Sequence, residues 1–344
     1  MNLQNLDNEL NPLPEFRKRQ AYKAIFEELI DNWDKVSPLP KELRDKLNVA
    51  CPLEIKATLF HSKDNKTDKA LIELEDGKKI ETVLMRHRDG RNTVCVSTQI
   101  GCAVNCKFCA TGQMGFARNL THFEIVEQVL LFARILKATG EKVANIVFMG
   151  MGEPFLNAEN VFAAIKIFND KNLFNIGARR ISVSTCGIVE GIAALAEREP
   201  QVNLAISLHA PDNELRSKLV PLNKEYSIEK IINAVDKYIL KTNRKVMFEY
   251  TLMKGVNDSP EQAEQLADLL HGKLCVVNLV PYNPTGKYKS STATKIKKFQ
   301  EVLVNAGIDV SLRHRFGEDI RAACGQLAIG ADGQIHNTAI PNYR

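Results

Sequence analysis

Cys102, Cys106 and Cys109 stand in the run Cys102-Ala-Val-Asn-Cys106-Lys-Phe-Cys109. Thiolates are the usual ligands of iron–sulfur clusters, and four would close a cubane site. Three leave one iron open, which a small-molecule ligand can occupy. A zinc site usually shows two CxxC pairs or added histidines, and neither flanks this loop.

A second group of residues reads as a ligand pocket. Gly150-Met151-Gly152-Glu153-Pro154 closes an apolar run, where glycines let the backbone approach a ligand and Glu153 can accept from an ammonium group. Ser184, the run Ser207-Leu208-His209, and Asn283 close other apolar runs. Taken singly, each would read as a turn or cap residue, and His209 as a structural histidine. Two further cysteines invite chemistry. Cys95 lies seven residues before Cys102, and Cys324 sits far away in Ala322-Ala323-Cys324-Gly325-Gln326-Leu327. Taken alone, a free cysteine is more often a buried small hydrophobe. Cys51, Cys186 and Cys275 read as structural.

The elements that must position these residues follow from periodicity. Tyr22, Ile25, Phe26, Leu29, Ile30 and Trp33 recur at helical spacing and predict one long helix. Pro38 and Pro40 end it, and a shorter helix over 42–47 follows. From Leu53 to Met85 the pattern turns to short β-rich runs, with hairpin or turn signals at Asp76-Gly77 and Asp89-Gly90. Strands are expected over 94–97, 145–149, 181–184, 204–208, 246–252, 276–280 and 310–312, with helices between them. Such alternation implies βαβ units and a parallel sheet, and this number of units favours a full or partial (β/α) barrel. Thr121 and Glu124 predict a capping box at the helix after the cysteine loop. The candidate ligand residues would then gather at the C-terminal ends of the strands, where barrel enzymes build their sites.

The expected organisation is an N-terminal helical accessory domain over 1–50, a β-rich connecting segment over 51–88, a core barrel over 89–319 and a C-terminal segment over 320–344. Arg17, Lys18, Arg19 and Lys23 make the first unit a solvated helix face or a small RNA-binding surface. The 344 residues carry a formal net charge of +5, a mild excess that permits a nucleic-acid partner. No apolar h-region opens the chain and no apolar run approaches the roughly 20 residues of a bilayer span. The expectation is a cytoplasmic protein without a membrane partner. In that reducing compartment eight cysteines serve metals or catalysis better than a disulfide framework.

The CxxxCxxC loop with Phe108 before its last cysteine resembles the radical S-adenosylmethionine (SAM) superfamily. Across about 14–327, the runs CVSTQIGCAVNCKFCATGQMGF, FMGMGEP, VSTCG, AISLHAP, PYNP and AACGQLA resemble the dual-specificity RNA methyltransferases. These act on carbon 2 of adenine in 23S ribosomal RNA and in transfer RNA. The resemblance implies a partial radical SAM barrel, a [4Fe–4S] cluster on Cys102, Cys106 and Cys109, and two SAM molecules per turnover. It implies SAM contacts from Gly152, Glu153, Ser184, Ser207, Leu208, His209 and Asn283. Cys324 matches the methyl-carrying cysteine, Cys95 its resolving partner, and Glu81, in Ile80-Glu81-Thr82-Val83, the proton acceptor. It further implies an electron donor such as flavodoxin or ferredoxin, a thiol reductant, rRNA and tRNA substrates, and a monomer. Two other readings remain: the sister activity at carbon 8 of the same rRNA adenine, which Pro154 disfavours, and a non-catalytic iron–sulfur or zinc RNA-binding protein, which has no need of a SAM pocket.

Overall fold

The computed structural model describes residues 3–313 and 316–328. The part of the expected C-terminal segment beyond residue 328 lies outside the described residues. Among the described residues twelve strands are formed: β1 (Ala57–His61), β2 (Thr67–Glu73), β3 (Lys79–Arg86), β4 (Asn92–Cys95), β5 (Gln99–Gly101), β6 (Phe116–Asn119), β7 (Asn145–Phe148), β8 (Ile181–Thr185), β9 (Asn203–Ser207), β10 (Val246–Leu252), β11 (Cys275–Pro281) and β12 (Asp309–Leu312). The α-helices used below are α1 (Leu3–Leu10), α2 (Glu15–Phe26), α3 (Lys41–Ala50), α4 (Ala110–Gln113) and α5 (His122–Lys137).

Ten strands form one sheet in the order β1-β2-β3-β4-β7-β8-β9-β10-β11-β12. From β4 onward every pairing is parallel. The inner parallel strands are short and largely buried, the edge strand β12 is mostly exposed, and their order matches their order in the chain. β12 pairs with β11 alone among the described strands, so the barrel is partial. The β-rich segment is a meander joined to the sheet: β1, β2 and β3 run antiparallel, and β3 pairs β4 with Val83 opposite Cys95. Gly77 and Gly90 turn these hairpins with φ of +76° and +81°.

The expected long N-terminal helix is corrected. It ends at Phe26 because Leu29 takes a left-handed φ of 55°, and Trp33 opens a separate 3₁₀ turn. Apolar spacing survives the break because both pieces face the same interior. Trp33 is fully buried and its indole N–H donates to the Cys51 carbonyl at 2.8 Å. Residues of α1, α2 and α3 belong to the same apolar core as the barrel, and Arg134 of α5 donates to the carbonyls of Leu53 and Ile30. The Thr121–Glu124 capping box forms as expected. The short β5–β6 ribbon flanking the cysteine loop was not anticipated. No helix among the described residues is long and apolar enough to cross a membrane.

Candidate active site

The cysteine loop springs from the C-terminal end of β4 and is held by steric necessity as much as by hydrogen bonds. Gly101 has φ of +75°, and a Cβ there would lie 1.9 Å from the Gly115 carbonyl oxygen. A Cβ on Gly112 would meet the Cys106 amide at 2.9 Å. Asn105 supplies the left-handed residue between Cys102 and Cys106. The Cys102 amide donates to Gly115, and the Lys107 amide to Leu219. All three thiols then line one cavity of about 1470 Å³, open mouth included. Burial pushes the Cys102 thiol up to about 12 and raises that of Cys109. Among the described residues no three His, Cys, Asp or Glu side chains close on a single ion.

Across this cavity stand the ends of β7, β8 and β9. Gly152 has φ of +102°, and a Cβ on it would strike the Gln99 side chain at 2.6 Å. The Glu153 carboxylate is buried and accepts the amides of Phe155 (3.1 Å) and Cys186 (2.7 Å). Burial raises its pKa while these amide donors oppose the rise. Ser184 and Ser207 touch through their hydroxyls at 3.2 Å. His209 takes a left-handed φ of 61°; its Nδ1 accepts from the Thr251 amide, so Nε2 carries the proton. Burial pulls its pKa down to about 3, which keeps the ring neutral. Asn283 donates to the Cys324 carbonyl at 3.1 Å, while its buried Oδ1 has no partner among the described residues.

Leu208 departs from expectation. Its side chain is buried in the apolar core and does not line the cavity. Only its backbone takes part: the amide donates to Glu249 and the carbonyl accepts from Arg216.

Cys95 and Cys324 line the same cavity. Cys95 ends β4 and is nearly buried, whereas Cys324 is exposed. The segment carrying Cys324 is tied down on both sides. The Ala110 amide donates to the Gly325 carbonyl, Thr111 Oγ1 to the Leu327 carbonyl (2.6 Å), and Gln326 to the Pro284 carbonyl. Burial pushes the Cys95 thiol up to about 12, with Arg313 pulling the other way. Arg313 is anchored by Glu249 at 3.4 Å. Glu81 is not brought to the cavity wall. Its side chain is fully buried, with Lys69 Nζ 2.8 Å from Oε1.

The family model describing the radical SAM superfamily matches residues 96–270. A probable dual-specificity RNA methyltransferase RlmN of Dictyoglomus thermophilum is 47% identical over 91% of this chain and 90% of that protein. The ribosomal RNA large subunit methyltransferase N of Nitrosopumilus maritimus is 46% identical over 91% and 92%. The chain belongs to the RlmN family of the radical SAM superfamily. The crystal structure of a radical SAM methyltransferase from Sphaerobacter thermophilus superposes with a TM-score of 0.91 at 46% identity, covering 94% of this chain and 97% of that one.

Radical SAM proteins use a [4Fe–4S] cluster and SAM, and the cavity of this family member fits both. Its thiols supply soft ligands for iron, and the orphaned Asn283 Oδ1 supplies an acceptor without a partner among the described residues. Three cavity features escaped the sequence reading. Cys186, read as structural, lines the cavity with its sulfur 3.9 Å from that of Cys106. It closes β8 beside Ser184, so the strand-end rule that marked Ser184 applied to it equally. Arg216 is buried and its guanidinium ties the carbonyls of Cys186, Ser207, Leu208 and Tyr226 together. Arg313 lay beyond the last strand with no periodic signal. Cys51 and Cys275 are core residues, as expected.

Proposed function

We propose that this enzyme methylates carbon 2 of adenine in 23S ribosomal RNA and transfer RNA through a methyl-cysteine intermediate. The observation that carries the reading is the sharing of one cavity by Cys95, Cys324 and the three loop cysteines. Carbon 2 of adenine is electron-poor and cannot itself attack a SAM methyl group, whereas a thiolate can. Cys324, the exposed thiol, takes the methyl from one SAM. Cys102, Cys106 and Cys109 hold the cluster, which when bound supplies the electron that cleaves a second SAM to methionine and a 5′-deoxyadenosyl radical.

Glu153, Ser184, Ser207, His209, Asn283 and the bare backbone at Gly152 hold SAM, with Leu208 contributing only through its main chain. Hydrogen is abstracted from the methyl on Cys324, and the resulting methylene adds to the ring. Glu81, two residues along the strand face from cavity-lining Val83, takes the ring proton. The Cys95 thiolate attacks the Cys324 sulfur as the carbon–sulfur bond breaks, and the released methylene carbon takes up a proton to become the methyl group. The surplus electron of the radical adduct returns to the one-electron carrier that supplied it. The disulfide so formed is reopened by a thiol reductant, and a flavodoxin or ferredoxin serves as electron donor. The 1–50 helices and the 320–344 segment serve RNA docking and methyl carriage, and the protein works as a cytoplasmic monomer.

The resemblance of Gly150-Met151-Gly152-Glu153-Pro154 to the carbon-2 enzymes favours carbon 2 over the sister activity at carbon 8. Mass spectrometry of adenosines from gene-deleted cells, with and without this chain, tests the reading. Expected is the return of 2-methyladenosine in rRNA and tRNA. The return of 8-methyladenosine, or of neither, would overturn it.

A further inference from the structure

Lys69 and Glu81 form an ion pair with 1% and 0% side-chain exposure, Nζ standing 2.8 Å from Oε1. Besides Lys69, the backbone at Ala328 also hydrogen-bonds the carboxylate. A buried pair of this kind is rarely worth more than two apolar residues of the same size, because desolvation offsets the attraction. Its position is informative. Lys69 stands opposite Val83 across the β2–β3 ladder, and Val83 stands opposite Cys95 across the β3–β4 ladder. Side chains alternate along a strand, so Lys69, Glu81, Val83 and Cys95 share one sheet face. Val83 and Cys95 line the cavity. Ala322 and Leu327, which flank Cys324, pack on the same cluster.

We propose that Lys69 is a positioning residue that keeps Glu81 ionised in this dry environment, so that Glu81 can accept the ring proton of adenine. The inference rests on the reading of Glu81 as the base. A carboxyl buried alone would take up a proton and lose its basicity. Burial does raise the Glu81 pKa here, and Lys69 is the foremost influence opposing that rise. The charged groups that act on Glu81 among the described residues are Lys69 from β2 and Arg321 of the C-terminal segment, while Cys95 of β4 lies on the same sheet face opposite Val83. In the step served, the ring C–H proton moves to a carboxylate oxygen and its electron pair stays on the ring carbon. Glu81 becomes a neutral acid beside the Lys69 ammonium.

The test compares Lys69→Met, Lys69→Arg and Glu81→Gln as cluster-loaded full chains with a tRNA substrate. Iron content and methylation of Cys324 serve as controls for the fold. Lys69→Met should form methylated adenine ~10²–10⁴-fold more slowly, the usual worth of a general base. Protein–RNA adduct should accumulate, and the rate should recover as pH rises and Glu81 ionises. Lys69→Arg should retain most of the rate. A Lys69→Met protein of normal rate, or a slow one with neither adduct nor pH recovery, overturns the proposal. If Glu81→Gln turns over normally, the base reading fails. If Glu81→Gln accumulates adduct while Lys69→Met does not, the base reading stands and the role of Lys69 fails. Should Lys69→Met not fold, the infrared difference spectrum between the unsubstituted protein and Glu81→Gln at neutral pH decides. Carboxylate bands support the proposal, and a protonated carboxyl band contradicts it.

Discussion

Arg216 offers the sharpest test of how the cavity is held. Its side chain is completely buried. Nε donates to Leu208 O (3.1 Å), Nη2 to Cys186 O (2.6 Å) and Ser207 O (3.2 Å), and Nη1 to Asn223 Oδ1 (2.9 Å) and Tyr226 O (3.3 Å). Arg216→Met keeps the apolar stem and removes every donor. Each carbonyl left dry would cost about 1–3 kcal/mol, but the loss of a buried charge offsets part of this. The net destabilisation should be roughly 3–5 kcal/mol, the range for breaking a buried charged network. For a chain of this size that lowers the thermal midpoint by roughly 4–7 °C, at about 1.4 °C per kcal/mol. The carbonyls released belong to the ends of β8 and β9, so SAM should bind at least tenfold more weakly. Arg216→Lys should not rescue, because one ammonium cannot reproduce the planar fork. Circular dichroism melting and equilibrium dialysis with SAM provide the assays. A methionine variant melting within 2 °C of the parent with unchanged SAM affinity would refute the reasoning.

Three further outcomes are expected. Replacing Cys102, Cys106 and Cys109 together by alanine should abolish iron binding and 5′-deoxyadenosine formation; a full iron complement in that protein would count against the assignment. Arg19→Glu and Lys23→Glu, both at exposed positions of α2, should weaken RNA binding and flatten its salt dependence by about 0.7–0.9 in log–log slope for each phosphate no longer neutralised; an unchanged slope removes this face from the interface. Point changes are the cleaner probe, since deleting 1–50 would strip buried Ile25 and Trp33 from the core. In the resting protein at pH 7.5, iodoacetamide should alkylate exposed Cys324 at least ~100-fold faster than Cys95, because thiolate is the reactive form and burial holds Cys95 near 12. Labelling of Cys95 should climb as pH rises; peptide mass spectrometry showing equal rates would contradict this.

The parallel strands were legible because short apolar-rich runs alternate with helical patterns and are bounded by polar residues, and each strand-end polar residue followed from that reading. Break points were less legible. The helix ending at Phe26 was hidden because Trp33 continues the apolar spacing after the left-handed turn at Leu29. The Lys69–Glu81 pair was invisible for another reason. Charged residues in an alternating strand read as the solvent face, but here that face is covered by neighbours that include Phe60, Met151 and the C-terminal segment. Arg216 likewise reads as an ordinary helix cation until its five acceptors, four within ten residues of it and Cys186 thirty residues away, converge on the buried guanidinium. Cys186 was missed by weighing cysteines by spacing to one another instead of by strand ends.

The central claim is that Cys324 carries the methyl group and Cys95 releases the product. The most direct measurement is mass spectrometry of Cys95→Ala protein after reaction with RNA and SAM under reducing, anaerobic conditions. The account predicts a covalent protein–RNA species joined through Cys324, and no such species in the Cys95→Ala, Cys324→Ala double variant. Normal turnover by Cys95→Ala, or an adduct that survives loss of Cys324, would contradict it.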